Sequence, residues 1–308
     1  MSALIVKGDS DVGIFFAFLS AFLFAVNNIL IKKGMKISKD KDDDGVFTTI
    51  FLNVIIFAIF FVFYRSFFYT QHVSFSWIGL LYFIFAGLLT NFLGRITFFK
   101  GIKRIGPSKA APIKNSAPIF TVIFAIGILH EKIDTVSWLG ILLIIFGICI
   151  QGYSMFKQGK NTNDKFGLMF SLASSISFGV GQGTRKQGLK YLNDPFAGAL
   201  IGASVALISF IILAAFRRNL LKMLKLTFLH RNIFYYLGGI ATGFATLFFF
   251  MGIWFTNVAF VGTIVATDPI LTVILSKIFL KGEEKIGLTI IIATVFIFIG
   301  AAVIALTA

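Results

Sequence analysis

The sequence is poor in the residues that build disulfides, metal sites and acid–base pairs. Its one cysteine, Cys149, lies inside an apolar run, so no disulfide and no cysteine-based metal site can form within the chain. Its three histidines, His72, His130 and His230, stand apart near the ends of apolar runs and lack ligand spacing. Acidic residues number 13 against 28 Lys and Arg, and charged residues make up 13% of the chain, about half the share of a soluble domain. Tryptophan is rare too: 3 Trp and 7 Tyr stand beside 40 Phe, a ring that needs no polar partner where it faces lipid. No Gly-x-x-x-x-Gly-Lys-Ser/Thr stretch occurs, so no P-loop is available to draw energy from ATP. No cofactor and no metal are implied.

What is present is apolar surface. Hydrophobic residues make up 57% of the 308 positions and the mean hydropathy is +0.92, more than a water-soluble fold can hide. The solvent is therefore a lipid bilayer. A net charge of +15 would suggest nucleic acid as a partner of a soluble protein. Here the cations sit mainly in short connections that flank membrane spans, and nucleic acid is not expected. Residues 13–31 have the apolarity of a signal peptide, but the run ends in Lys32–Lys33 without a small-residue cleavage site, and reads as a retained first span.

A bilayer core of roughly 30 Å needs about 20 apolar residues per helix. Ten such runs occur, near 13–33, 46–68, 76–99, 107–130, 134–156, 165–190, 195–216, 233–256, 259–281 and 285–307. The chain also repeats itself. Gly13, Phe16, Ser20, Phe24, Val26, Lys32 and Gly34 recur as Gly167, Phe170, Ser174, Phe178, Val180, Lys186 and Gly188. Phe99, Gly101 and Ile102 recur as Phe250, Gly252 and Ile253, and Pro118, Thr121, Val122 and Ile123 as Pro269, Thr272, Val273 and Ile274. Glu131, Lys132 and Gly147 pair with Glu284, Lys285 and Gly300. The predicted fold is an all-α integral membrane protein of ten transmembrane helices. Residues 13–156 and 165–307 form two five-helix repeats, joined by a short linker at 157–164. Five is odd, so the second copy enters the membrane in the opposite sense. Inverted repeats around a central cavity are the architecture of secondary transporters.

In this order the motifs resemble the ten-span drug/metabolite transporter superfamily with two EamA-type domains, over about 13–153 and 166–306. The resemblance implies a multi-pass protein of the bacterial plasma membrane that moves amino acids or related metabolites, often outward. It also implies cytoplasmic termini. The charge pattern points the other way. Connections of odd number carry 20 of the 28 Lys and Arg, which by the positive-inside rule places both termini outside.

Polar residues at membrane depth mark the candidate site. Asp268 is the one acid deep in a span, where an unpaired charge costs roughly 2.5–3.5 kcal/mol, so it should face a cavity or a partner such as Lys114 or Arg95. Asn91 and Arg95 are one helical turn apart on span three, and Lys114 and Asn115 precede Pro118 in span four. Pro118 and Pro269 form a matched pair of proline-interrupted helices. Ser20, Phe24, Asn27 and Asn28 form a stripe on span one, and Ser174, Phe178, Gly181, Gln182 and Arg185 the same stripe on span six. Thr242, Thr246 and Asn257 add hydroxyl and amide groups on span eight. The substrate-binding set is thus Asn27, Asn28, Asn91, Arg95, Lys114, Asn115, Gln182, Arg185, Thr246 and Asp268. Cations for a carboxylate and an aspartate for an amine suit a zwitterion, whereas a sugar phosphate or nucleotide sugar would use the cations alone. A channel lacks a filter motif here, and an enzyme lacks a nucleophile–base pair. The pairs Gly179/Gly183, Gly198/Gly202 and Gly239/Gly243 suit close packing within the bundle, or between the copies of a homodimer.

Overall fold

The computed structural model describes residues 10–38, 45–67, 76–105, 113–158, 164–229 and 232–265. Beyond these it describes Thr267, Asp268, Leu271, Thr272, Ile274, Leu275 and scattered positions from Thr289 to Val303. These residues form helices and their connections, with no strand among them. The helices are α1 (Ser10–Ile37), α2 (Val46–Phe67), α3 (Trp77–Gly87), α4 (Arg95–Ile105), α5 (Ala117–Gly127), α6 (Thr135–Gln158), α7 (Lys165–Tyr191), α8 (Pro195–Phe216), α9 (Leu220–Phe228), α10 (Ile233–Phe255) and α11 (Val258–Val265). A π-helical stretch, Leu88–Gly94, joins α3 to α4, so that span three is continuous from Trp77 to Gly101.

Several helix starts are capped by side chains. Asp164 accepts from the amides of Phe166 and Gly167 at α7, Asp194 from those of Phe196 and Ala197 at α8, and Asn232 from Phe234 at α10. Arg104 also reaches Asp164 at 2.9 Å, tying the end of span three to the start of α7. Five described helices are long and apolar enough to cross a bilayer: Ser10–Met35, Val46–Phe67, Trp77–Gly101, Pro195–Phe216 and Ile233–Phe255. Large apolar side chains such as Phe15, Phe67, Trp77, Leu139 and Phe166 point outward. Such a surface is stable only in lipid, and the protein is an integral, multi-pass membrane protein.

The bundle is held by small residues. On α1, Ala17, Ala21 and Ala25 are fully buried, and the helix lies closely along α10. Gly13 meets Thr256, Ser20 bonds Ala245 and Asn27 faces Gly238, so the two helices run antiparallel. Span three and α7 are antiparallel as well, through Ile105 with Gly167, Gly94 with Ser174 and Phe83 with Gly188. The glycine pairs read from the sequence all pack inside this chain. Gly179 and Gly183 receive Phe120 and Phe124, Gly198 and Gly202 receive span three, and Gly239 and Gly243 receive Leu52 and Ile56.

The expected run of 107–130 is shorter in the described residues. A turn at Asn115–Ser116 precedes α5, and Pro118 sits in the first turn of that helix rather than within it. Proline costs nothing there, because the first amides of a helix have no partner in any case. Ser116 completes the break by donating to the Ile113 carbonyl at 2.6 Å and meeting the Ser175 hydroxyl at 2.9 Å. Pro269, Glu284, His72 and His230 lie outside the described residues. The connection after α8, read from the sequence as a loop, contains the nine-residue helix α9.

Candidate functional site

The polar stripes of α1 and α7 have two bonds in common. Ser20 donates to the Ala245 carbonyl at 2.8 Å, and its counterpart Ser174 donates to the Gly94 carbonyl at 2.8 Å. Eight residues on, Asn28 donates to the Thr272 hydroxyl at 3.1 Å, while the Thr121 hydroxyl donates to Gln182 at 2.9 Å. Thr121 and Thr272 are themselves one of the repeated pairs in the sequence. Each half thus uses the same hydroxyls and amides to dock onto the other.

The charges do not match. Asp268, 8% exposed, accepts from the Asn28 amide at 3.3 Å. Lys114 is close enough for its charge to act on Asp268, yet its Nζ lies over the rings of Phe178 (5.3 Å) and Phe98 (6.0 Å). Arg185, 7% exposed, donates to the Thr90 hydroxyl at 2.7 Å and lies over the rings of Phe250 (5.0 Å) and Phe249 (5.6 Å). Thr90, absent from the sequence-derived set, is fixed by its own bond to the Ala86 carbonyl at 2.8 Å. Arg95 donates to Thr49 on α2 at 3.3 Å, and its charge acts on Arg185.

Thr90 and Asn91 lie in the π-helical stretch. A π turn has an i→i+5 repeat, so the α-helical spacing that put Asn91 and Arg95 on one face no longer holds. The Asn91 amide lies beside Gly202 of α8, whereas Arg95 turns to α2. The remaining candidates are scattered. Asn27 directs a buried, unbonded Oδ1 toward Gly238, Thr246 is buried on α10, and Asn115 sits in the turn before α5. Among the described residues, no group of three His, Cys, Asp or Glu could hold a metal ion.

One end of the bundle is tied across the halves. Between α10 and α11 the chain breaks at Thr256–Asn257, exposing carbonyls on one side and amides on the other. Lys186 donates to the Ile253 carbonyl and, at 2.8 Å, to that of Thr256. Glu131, from the connection before α6, accepts from the amides of Val258 (3.1 Å) and Ala259 (3.4 Å). Lys190 donates to the Leu129 carbonyl at 3.4 Å, and the Trp254 indole donates to Asn193. Burial pushes the Glu131 carboxyl above its ordinary range, against the pull of those two amides and of Lys186 and Lys190. The sequence signal for this clasp is the Glu–Lys doublet repeated at 131 and 284, together with the repeated lysine at 32 and 186.

None of the curated proteins matches the sequence. A solved structure, described only as the crystal structure of a protein, superposes with a TM-score of 0.70 at 15% identity, over 96% of this chain and 97% of that chain. At that identity the likeness is one of fold alone. The model of the EamA-like transporter family matches twice, over residues 11–152 and 165–306, on either side of the short connection read from the sequence. The double match shows that the same family unit occurs twice in the chain. The chain belongs to the EamA-like transporter family, and is a membrane transporter of the drug/metabolite superfamily.

Proposed function

We propose that the protein is a secondary transporter of a small polar metabolite, an amino acid or related zwitterion. In this reading two five-helix halves of opposite sense enclose a central cavity in a bacterial plasma membrane. The cavity opens to each side in turn by rocking of one half against the other. The opposed directions of α1 and α10, and of span three and α7, support the inverted arrangement. Export is the direction that the family resemblance implies, driven by protons or by exchange.

One observation carries the substrate class. Arg185 and Asp268 are buried opposite charges held by Thr90 and Asn28 rather than by each other. Buried charges are costly unless paired, and a solute carboxylate on Arg185 and a solute amine on Asp268 would each offset that cost. Guanidinium suits the carboxylate because its planar fork can donate two parallel bonds. A second reading, an anionic sugar phosphate or nucleotide sugar, draws on Arg95, Lys114 and Arg185 outnumbering Asp268.

A thermal-shift screen of purified protein against amino acids, sugar phosphates and nucleotides, followed by counterflow in proteoliposomes, tests the proposal. An amino acid should stabilise the wild type and be carried, and both effects should be strongly reduced in Arg185→Met and Asp268→Asn. A sugar phosphate hit that depends on Arg185 but not on Asp268 would replace the zwitterion with an anion. Chemical change of the solute, or flux without saturation, would reject a transporter altogether.

A further inference from the structure

The short helix α9 stands apart from the polar interior. Its inner side is fastened to the ends of α2 and α10. The buried Thr227 hydroxyl meets that of Thr48 at 3.0 Å, the Thr227 carbonyl accepts from the Tyr236 hydroxyl at 2.7 Å, and Phe228 stacks edge-on against Phe51. Its outer side is of two chemistries at once. Leu221 and Leu229 are 76% and 73% exposed, beside exposed Lys222 and Lys225. The chain arrives there from Phe216, 84% exposed, through exposed Arg217 and Arg218. Arg218 has a φ of 55°, a left-handed turn that takes the chain out of α8.

In water, three such large apolar side chains would be a liability, and in hydrocarbon four cations would be. Both are satisfied where acyl chains meet headgroups, with leucine dipping inward and the Lys and Arg stems reaching outward. From Phe216 to Leu229 the sequence contains no Asp or Glu, so the segment does not neutralise itself. We propose that α9, with Arg217 and Arg218, is an interfacial platform that binds the headgroups of anionic phospholipids. The partner follows from charge complementarity, since a zwitterionic headgroup offers the exposed Arg217, Arg218 and Lys225 no net attraction.

Native mass spectrometry of the full-length protein, extracted from bilayers of phosphatidylcholine mixed with phosphatidylglycerol, tests this. The wild type should retain phosphatidylglycerol several-fold above its share of the bilayer. That enrichment should fall to the bulk ratio in R217S/R218S/K222S/K225S, and in wild type washed at on the order of 1 M salt, where screening is nearly complete. The single variant K132S, a cation at the opposite end of the bundle, should keep it. Helicity and a monodisperse elution profile show whether the fourfold variant is folded, and the milder K222S/K225S should give about half the loss. Equal retention of both lipids by the wild type would overturn the proposal. So would enrichment that survives in the folded fourfold variant, or that is lost equally in K132S.

Discussion

The two halves of the protein agree in what joins them and differ in what they could bind. Ser20 and Ser174 make the same bond to the same repeat position of the opposite half, and Asn28 and Gln182 engage the paired Thr272 and Thr121. At the charged positions the counterparts are neutral. Arg185 corresponds to Ile31, Asp268 to Ala117, Lys114 to Val265 and Arg95 to Thr246. A group needed to dock one half on the other must appear twice, because the docking occurs twice. A group needed to hold an asymmetric solute appears once. By this criterion Gln182 and Ser174 group with the scaffold, and the unmatched charges are the contacts that the proposed function assigns to the solute.

The largest expected effect tests that division directly. Arg185→Met removes a charge-assisted bond of about 1.5–3 kcal/mol, so counterflow per folded molecule should fall by roughly one to two orders of magnitude. Asp268→Asn should do the same for a zwitterion. Gln182→Leu should lower the yield of folded protein but leave turnover of the folded fraction within a few-fold. Equal losses of turnover in all three variants would erase the distinction between repeated and unrepeated residues.

Much of this is legible in the residues alone. Apolar runs and repeated motifs point to the helical membrane class and the duplication, because a bilayer demands long apolar helices and each repeat carries its own copy of the contacts. The residues of the scaffold bonds are visible, Ser20 with Ser174 and Thr121 with Thr272, but their pairing is not: it spans the two halves and leaves no local spacing to read. The π turn at Leu88–Gly94 has no residue signature, so spacing alone misses Thr90 and assigns Asn91 to the face of Arg95. Helix α9 is hidden by its shortness, although Leu220, Met223, Leu224 and Thr227 lie on one helical face. The Glu131 clasp cannot be read from the repeated Glu–Lys doublet, because its partners, Val258 and Ala259, are remote in sequence.

A second pair of substitutions asks how far the halves agree in packing. Gly87 and Gly238 are equivalent by repeat. A Cβ on Gly87 would stand 2.6 Å from the Gly202 carbonyl oxygen and 2.7 Å from its Cα, backbone that cannot swing aside. On Gly238 it would meet the Ile31 Cδ1 at 3.1 Å and the Asn27 Oδ1 at 3.2 Å, both side-chain tips. Gly87→Ala should therefore destabilise by about 3 kcal/mol or more, and Gly238→Ala by roughly 1 kcal/mol or less. Unfolding midpoints in one detergent compare them, and equal shifts would mean that span three and α8 approach less closely than this. Ser20→Ala and Ser174→Ala should each cost about 1 kcal/mol, the same within roughly 0.5, since each removes one hydroxyl-to-carbonyl bond.

The smallest effect concerns the clasp, and its sign follows from burial. When Glu131 caps α11 its carboxyl sits above the ordinary range, chiefly through desolvation, and water reaching it on opening would return it toward the usual value near 4.5. The closed arrangement then binds the proton more tightly. Acidification through the window between the ordinary and the raised value favours closure, and raising the pH through the same window weakens it. Labelling of a cysteine placed at Ala259, in a Cys149→Ser background and divided at each pH by the rate of a fully exposed cysteine to remove thiolate titration, should slow as the pH falls there, by no more than a few-fold. Glu131→Gln should abolish the pH dependence while keeping a carbonyl to accept from Val258. A slope that persists in Glu131→Gln would move the titrating group elsewhere and leave the clasp a helix cap, no different in kind from Asp164 or Asp194.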